Sequence, residues 1–145
     1  MIGFIEPTES HYEKELVELG KQGIVNYRGS QQDVKPWIAR AHAIIHPSTY
    51  GEGMSNVLLP NSSSGRFIIT TDNPGCPETV IDGESGYIYH GGDVDALVRT
   101  IEKFLSLDNE TRKAMGNCGR KYVEDNFSRE IVVDAYKQKI KTILG

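Results

Sequence analysis

A short, glycine-rich turn carries the residue types best suited to hold a polar ligand. It runs from Tyr50 to Gly65 and reads YGEGMSNVLLPNSSSG. Gly51 and Gly53 allow backbone torsions that bring amide N–H groups close to a ligand, and the helix predicted to follow adds unpaired N–H groups of its own. Such donors suit a phosphate or a sugar hydroxyl. Glu52 lies among them as an acceptor-only carboxylate that suits hydroxyls, so the turn predicts a ligand with both groups, such as a nucleotide sugar.

The same turn has a second interpretation that involves no ligand. A strand that runs into a helix often contains glycine, and Ser55 or Asn56 could serve only as the cap of that helix. Pro60 also disturbs the pattern. A helix that begins near Ser55 meets this proline beyond its first turn, where the cost is about 3 kcal/mol. We therefore expect Pro60 to kink the helix or to delay its start, and both interpretations of the turn stay open.

Other polar residues are weaker candidates for a site. Gly29 allows a turn that could present backbone groups to a base, although a simple helix start capped by Ser30 or Asp33 is the favoured interpretation of these residues alone. Glu78 is the one acid in its turn-rich stretch that could face a cleft. Asp93 and Asp95 open a helical pattern, and we interpret them as capping residues. The four histidines show no ligand spacing to each other or to the cysteines, so the sequence predicts no metal site.

Short apolar segments alternate with helical patterns along the chain, and periodicity assigns each to a strand or a helix. The strands are predicted at 1–5, 23–29, 43–47, 66–75 and 86–90. The helices are predicted over 8–20, 33–42, 93–107, 110–127 and 129–144, with one more after Ser55. The side chains expected to face the core from the first and last of the three C-terminal helices are Val94, Leu97, Val98, Ile101, Phe104 and Leu105, and Ile131, Ala135, Ile140 and Ile143.

Apolar strands that alternate with helices indicate a parallel sheet covered on both faces. The sequence thus predicts an α/β fold: one Rossmann-like, doubly wound domain over residues 1–145, with extra helices at its C-terminal end. In such sheets ligands bind at the carboxyl ends of the strands. The turn that begins at Tyr50 follows a predicted strand and is therefore expected at that edge.

Composition and charge exclude several classes of protein. A hydrophobic content of 38% and a charged content of 25% over 145 residues fit one globular domain. The net charge of −4 gives no electrostatic reason to expect nucleic acid as a partner. No apolar run approaches the ~18 residues needed to span a bilayer, so no transmembrane segment is expected. Cys76 and Cys118 are expected to be free thiols in a reducing cytosol.

In order, the segments of VNYRGSQQDVKPWIARAHAIIHPSTYGEGMSNVLLPNSSSGRFIITTDNPGCPETVIDGESGYIY resemble the donor-binding half of the retaining glycosyltransferases of family 4, also called group 1. The pattern is a Gly-ended strand, Pro-Ser, Glu-Gly, a helix, Gly-Arg, a strand ending in Thr, Pro-Gly-x-x-Glu and Asp-Gly-x-x-Gly. The tail FSREIVVDAYKQKI is also typical of this family. The resemblance implies the GT-B fold, in which two Rossmann-like domains face each other across a cleft, with this chain as the C-terminal one.

The resemblance also implies roles for individual residues. Glu52 corresponds to a family glutamate near the sugar hydroxyls and the leaving phosphate, and would orient the donor sugar. Backbone N–H groups at Gly53, Met54 and Ser55 would bind the same ligand. Pro60 stands at the place of a second glutamate that binds the ribose hydroxyls. The residues expected to bind the donor are Gly29, Tyr50, Gly53, Met54, Ser55, Asn56 and Pro60, with Glu52 as the catalytic residue.

Several departures from the family pattern weaken the expected site. Without the carboxylate at position 60, the site loses a hydrogen bond typically worth ~1.5–3 kcal/mol. Pro77 stands where close relatives often carry arginine. The sequence opens with what resembles the second strand and helix of the donor domain, so the family's phosphate-binding Arg and Lys, and its acceptor domain, are expected to be missing. We therefore expect a piece of a longer enzyme that does not transfer sugar alone.

The sequence leaves two main hypotheses about function. In the first, the chain binds a nucleotide-diphospho-sugar, preferably a UDP-sugar, without a metal or other cofactor, for transfer to a glycan or lipid-linked acceptor in polysaccharide or capsule synthesis. In the second, it is a degenerate, non-catalytic partner or scaffold domain. A sugar-nucleotide epimerase shares the architecture, but the Glu-Gly spacing and the FSRE tail favour a transferase. The expected location is the cytoplasm, or the periphery of the inner membrane for the complete enzyme.

Overall fold

The computed structural model describes residues 1–3, 5, 11–51 and 53–144. The chain divides into two compact units, Met1–Trp37 and Ile38–Gly145. The helices are α1 (His11–Lys21), α2 (Lys35–Arg40), α3 (Leu58–Ser63), α4 (Val94–Ser106), α5 (Asn109–Phe127) and α6 (Arg129–Leu144). The strands are β1 (Ala43–His46), β2 (Phe67–Thr71) and β3 (Gly86–Tyr89), and Pro77–Thr79 forms a 3₁₀ turn. Every predicted helix is thus present within the described residues, together with three of the five predicted strands.

The three strands form one parallel sheet in the order β1–β2–β3. In the register, Ala43 of β1 lies opposite Phe67 of β2, and Ile68 of β2 lies opposite Gly86 of β3. All five residues of the central strand β2 are buried. A parallel strand whose residues are all buried is covered on both faces, and the predicted parallel sheet is confirmed.

Side chains that alternate along β2 enter two separate apolar clusters, one on each face of the sheet. On one face the Phe67 ring lies 5.1 Å from the Tyr87 ring and 4.8 Å from the Phe104 ring of α4, measured between centroids. On the other face Ile68 packs with Leu58 of α3. Burying one such side chain fully contributes roughly 1.5–3 kcal/mol. Since helices supply both clusters, the doubly wound arrangement is confirmed.

Helix α5 approaches α3 closely because glycine removes the side chains at the contact. A Cβ atom on Gly116 would collide with the carbonyl oxygen of Gly65. A Cβ atom on Gly119 would lie 2.9 Å from Ser62 Oγ. The two glycines that lower the helix propensity of α5 are therefore packing residues of the second unit.

The predicted inward faces of two helices are partly wrong. In α4 Phe104 is buried and Leu97 and Ile101 are half-buried, but the predicted Val94, Val98 and Leu105 are exposed. In α6 no residue is buried, and the predicted inward set Ile131, Ala135, Ile140 and Ile143 is exposed. Periodicity identifies the apolar side of a helix, but it does not tell whether another element packs against that side.

The strands predicted at 1–5 and 23–29 are not strands in the described residues of the first unit. The two segments still lie side by side, because the Arg28 N–H donates to the Met1 carbonyl (3.0 Å) and the Gly3 N–H to the Gly29 carbonyl (3.1 Å). Ile24, in the second segment, remains 66% exposed. Burial therefore does not enforce a regular ladder on this pair, and two isolated strands are at best marginally stable in water.

Replacing Gly116 by alanine is expected to destabilise the second unit by about 1–3 kcal/mol, as overpacking usually does. The new Cβ meets backbone atoms of Gly65, which cannot move aside as the end of a flexible side chain could. The clash outweighs the gain of up to about 1 kcal/mol in helix propensity. Urea unfolding measures the change, with Lys113→Ala at an exposed position of α5 as the control. A Gly116→Ala chain as stable as the parent would contradict this packing.

Candidate functional site

The glycine-rich turn leaves the sheet at the carboxyl end of β1. We call residues 47–57 the β1 turn and residues 72–76, which follow β2, the β2 turn. Because β1 and β2 are parallel neighbours, the two turns begin at the same edge of the sheet. Ligands of parallel α/β sheets bind at this edge, so the expected position of the β1 turn is confirmed.

The β2 turn holds the β1 turn near both of its ends. Asn73 Nδ2 donates to the Ser48 carbonyl at 2.7 Å. The Ser55 N–H donates to the Gly75 carbonyl at 3.0 Å. Ser48 and Ser55 are only 6% and 0% exposed, so these polar groups need the partners they have. The β1 turn is thus anchored by two buried serines.

Between these anchors lie most of the residues predicted to bind a donor. Tyr50 is 68% exposed, and its carbonyl accepts a hydrogen bond from the Ser48 hydroxyl at 2.9 Å. Gly53 and Asn56 are also exposed, and Met54 is half-buried. Glu52, the predicted catalytic residue, lies outside the described residues. The exposed positions can meet a ligand, and their part in binding stays a prediction.

Ser55 requires a correction. It was expected to offer its N–H to the ligand, but that N–H is bonded to Gly75 inside the protein. Its hydroxyl accepts from the Leu58 N–H at 3.4 Å, and its carbonyl accepts from the Leu59 N–H at 3.3 Å. The hydroxyl and carbonyl of Ser55 therefore support the turn that leads into α3. The N-cap residue of α3 itself is Val57 and has no side-chain cap bond, so the part of Ser55 in binding a ligand stays a prediction.

Gly51 does not use the conformational freedom that is special to glycine. Gly51 does not adopt a left-handed φ, and a Cβ atom there would contact the Pro74 ring at 3.7 Å, an ordinary van der Waals distance. At Gly53 no atom of the described residues lies within 4 Å of the position that a Cβ atom would take. Gly51 therefore has a proline ring beside it, and among the described residues the space beside Gly53 is open.

Pro60 delays the helix instead of kinking it. Helix α3 begins at Leu58 and contains six residues, so Pro60 lies in its first turn, where a missing N–H costs little. The hydroxyls of Ser63 and Ser64 donate back to the Pro60 carbonyl at 2.9 and 2.8 Å. The expected delay is confirmed, and Pro60 is compatible with the local fold. Its exposed position places no carboxylate where the family pattern has one.

The remaining candidates have structural partners. Gly29 belongs to the first unit and adopts φ +62°, as a glycine in a turn can, and its part in a base pocket stays a prediction. Glu78 Oε2 accepts from the Gly75 N–H at 2.9 Å, so this carboxylate supports the β2 turn. Asp93 Oδ1 accepts from the Ala96 N–H at 2.8 Å, which confirms it as the cap of α4.

The described residues offer little for metal or disulfide chemistry. Among them no group of three His, Cys, Asp or Glu side chains is close enough to hold a metal ion. Cys76 and Cys118 are both free, as predicted. Binding of the donor without a metal stays a prediction.

One ionic pair at the same edge of the sheet was not predicted. His90 Nδ1 lies 2.8 Å from Asp72 Oδ2, and Asp72 Oδ1 accepts from the Gly91 N–H at 2.9 Å. The hydrogen bond to Asp72 raises the pKa of His90 above its ordinary value of 6.5. The same hydrogen bond, helped by the Gly91 N–H, lowers the pKa of Asp72 below 3.8. Each residue directly follows one of two neighbouring strands, and this was the available signal.

The chain belongs to the glycosyl transferases group 1 family, whose model matches residues 1–122. It is 31% identical over 125 residues to the lipopolysaccharide core biosynthesis glycosyltransferase LpsE of Rhizobium meliloti. This match covers 86% of the chain but 36% of LpsE. The chain therefore spans about a third of the length of this relative.

Solved glycosyltransferase structures share the fold. A glycosyltransferase of Rickettsia africae superposes with a TM-score of 0.88 and 23% identity, over 99% of this chain and 39% of that one. Anabaena HepE, solved in complex with UDP, superposes with a TM-score of 0.80 and 21% identity, over 98% of this chain and 39% of that one. The α/β fold with its parallel sheet is thus that of GT-B glycosyltransferases. Within the described residues, no helix is both long and apolar enough to cross a membrane.

An NMR titration of the histidines is expected to place the pKa of His90 above 6.5. In Asp72→Asn the pKa of His90 should fall toward that value, since the largest cause of its rise is removed. Asp95→Asn, which removes a carboxylate that does not bond His90, is the control. An unchanged His90 pKa in Asp72→Asn would contradict the pair.

The two shifts also fix the sign of the pair's effect on stability. His90, whose pKa is raised, stabilises the fold below about pH 6.5, and the effect disappears as the pH rises through its folded pKa. Asp72, whose pKa is lowered, stabilises above about pH 4, and this effect disappears as the pH falls through its folded pKa. The pair therefore contributes most between about pH 4 and 6.5.

Proposed function

We propose that the chain is the nucleotide-sugar-binding part of a retaining glycosyltransferase that acts in polysaccharide synthesis. The observation that carries the proposal is the family match over residues 1–122, which includes the whole β1 turn. The names of the relatives support a transferase over an epimerase, and LpsE supports a role in building a surface polysaccharide. A UDP-sugar is the preferred donor, and the UDP complex of HepE supports this choice.

In this proposal the β1 turn binds the donor between its two anchors. Glu52 orients the sugar through its hydroxyls, because a carboxylate accepts hydrogen bonds and donates none. Backbone N–H groups of Gly53 and Met54 meet the phosphates, and Tyr50 and Asn56 border the same turn. Ser55 supports the β1 turn and does not offer its backbone N–H to the ligand, since that N–H donates to the Gly75 carbonyl. Since α3 has only six residues, we assign no ligand to its N-terminus.

Pro60 is proposed to weaken the nucleotide contact and leave the fold intact. Its place in the first turn of α3 removes the conformational objection to a proline. What it lacks is the carboxylate that would accept from the ribose hydroxyls. A hydrogen bond to a charged group is worth ~1.5–3 kcal/mol, so we expect weaker binding by about one to two orders of magnitude.

Transfer of the sugar requires an acceptor as well as a donor. Because the chain spans about a third of LpsE, we propose donor binding for this chain and transfer only together with an acceptor-binding domain. The competing proposal is a non-catalytic partner or scaffold domain. The proline at position 60 and the commitment of the Ser55 N–H inside the protein favour it.

Binding of UDP to the parent chain and to two variants tests the proposal. Pro60→Glu restores the carboxylate, and Pro60→Gln removes the proline without adding charge. Pro60→Glu is expected to bind UDP roughly 10- to 100-fold more tightly than the parent, and Pro60→Gln to bind like the parent. Calorimetric titration gives the affinities. Thermal stabilisation provides an independent reading, since a ligand at 100 times its Kd stabilises by about 2.7 kcal/mol.

The pattern of responses separates the alternatives. Binding of UDP that strengthens only in Pro60→Glu supports a donor site with a weakened ribose contact. Equal binding of ADP or GDP would make the preference for UDP wrong. If the parent and both variants ignore all three nucleotides, the chain is not a donor-binding domain in this form, and the scaffold proposal is preferred.

A further inference from the structure

We propose that Asn73 is a positioning residue for the nucleotide-sugar, because its side-chain amide fixes the backbone of the β1 turn at Ser48. The inference rests on the proposed function, since it is the β1 turn that binds the donor there. Asn73 lies in the β2 turn and has no predicted role in the ligand contact itself. Asn73 affects binding only through the Ser48 carbonyl, to which its side chain donates.

The hydrogen bond from Asn73 starts a short chain of contacts into the turn. Asn73 Nδ2 donates to the Ser48 carbonyl at 2.7 Å. The hydroxyl of Ser48 in turn donates to the Tyr50 carbonyl at 2.9 Å. The path of the backbone from the buried Ser48 to the exposed Tyr50 is therefore set by two successive bonds. Removing the bond from Asn73 frees the backbone of Ser48, and the bond from the Ser48 hydroxyl to Tyr50 then loses its fixed starting position.

The amide of Asn73 is oriented by its surroundings. Its Nδ2 also lies 3.3 Å from Thr71 Oγ1, and its backbone carbonyl accepts from the Cys76 N–H at 3.1 Å. The neighbouring Asp72 is bonded to the Gly91 N–H and to the His90 ring. The backbone of the β2 turn is thus held next to β3 through Asp72, while the side-chain amide of Asn73 extends toward β1.

Gly91 provides the room in which the Asn73 amide lies. A Cβ atom on Gly91 would come within 2.5 Å of Asn73 Nδ2 and 3.2 Å of its Cγ. Gly91 does not adopt a left-handed φ, so its backbone accepts an alanine. The substitution Gly91→Ala therefore displaces the amide of Asn73 without changing Asn73. Glycine at this position is explained by a neighbouring side chain and not by a turn conformation.

A turn whose path is fixed before binding loses less conformational freedom when the ligand arrives. One neutral hydrogen bond of this kind typically changes an equilibrium by roughly 2- to 10-fold. Asn73→Ala is therefore expected to raise the Kd of UDP by roughly 2- to 10-fold. Gly91→Ala should act in the same direction. Because both remove the same contact, the double variant should bind like Asn73→Ala, and the two effects should not multiply.

The experiment combines UDP titration with ¹⁵N relaxation of the unliganded chain. The control is Asn126→Ala, which deletes an exposed bond of the same type, from a side-chain amide to the Tyr122 carbonyl, 2.8 Å long, within α5. Asn73→Ala and Gly91→Ala should increase the nanosecond mobility of Tyr50 and Gly51 and weaken UDP binding. Asn126→Ala should do neither, even if it lowers the melting temperature by a similar amount.

Each result decides a separate question. Asn73→Ala with the parent's mobility at Tyr50 and the parent's UDP affinity would overturn the inference, as would independent, multiplying effects of the two substitutions. If the parent chain and both Pro60 variants fail to bind UDP, ADP and GDP, the proposed function fails. The mobility of Tyr50 and Gly51 in Asn73→Ala then decides by itself whether Asn73 positions the turn.

Discussion

The complete burial of β2 is the constraint on which the rest of the second unit depends. Its backbone groups can be satisfied only by two parallel neighbours, because water does not reach them. Its side chains alternate between two apolar clusters, which require α4 on one face and α3 on the other. The glycines of α5 let that helix approach α3 and β2 closely. The position at which β2 ends, and hence the start of the β2 turn, is thus determined by the core.

The buried core is connected to the candidate site by polar groups whose hydrogen-bond partners lie within the protein. Beyond the last buried residue of β2, Asn73 and Gly75 hold the β1 turn through Ser48 and Ser55. The Glu78 carboxylate in turn holds the Gly75 N–H. Groups that sequence alone assigned to a ligand, such as the Ser55 N–H, are therefore used to fix the turn. Between the anchors, Tyr50, Gly51 and Gly53 remain exposed.

The parts of the fold that could be predicted from sequence are those with a local cause. β1, β2 and β3 follow from apolar runs bounded by turn residues, and Asp93 caps α4 through its own carboxylate. The errors have non-local causes. The exposure of Ile140 in α6 depends on what packs against it, and the pair of Asp72 with His90 depends on the register of two strands. The bond from Ser55 to Gly75 joins turns that are distant in sequence. None of these can be read from spacing along one segment.

Pro60 shows how fold and binding can be separated at one position. In the interior of a long helix this proline would cost about 3 kcal/mol, and selection on the fold alone would act against it. The helix begins at Leu58, ends after six residues, and offers Pro60 a first-turn position where its missing N–H is unimportant. The serine hydroxyls that follow bond to the Pro60 carbonyl and satisfy an acceptor at the end of the helix. The proline therefore costs the fold almost nothing, because its missing N–H is not needed there. Under the proposed function, a change at this position should alter nucleotide affinity without a matching change in stability.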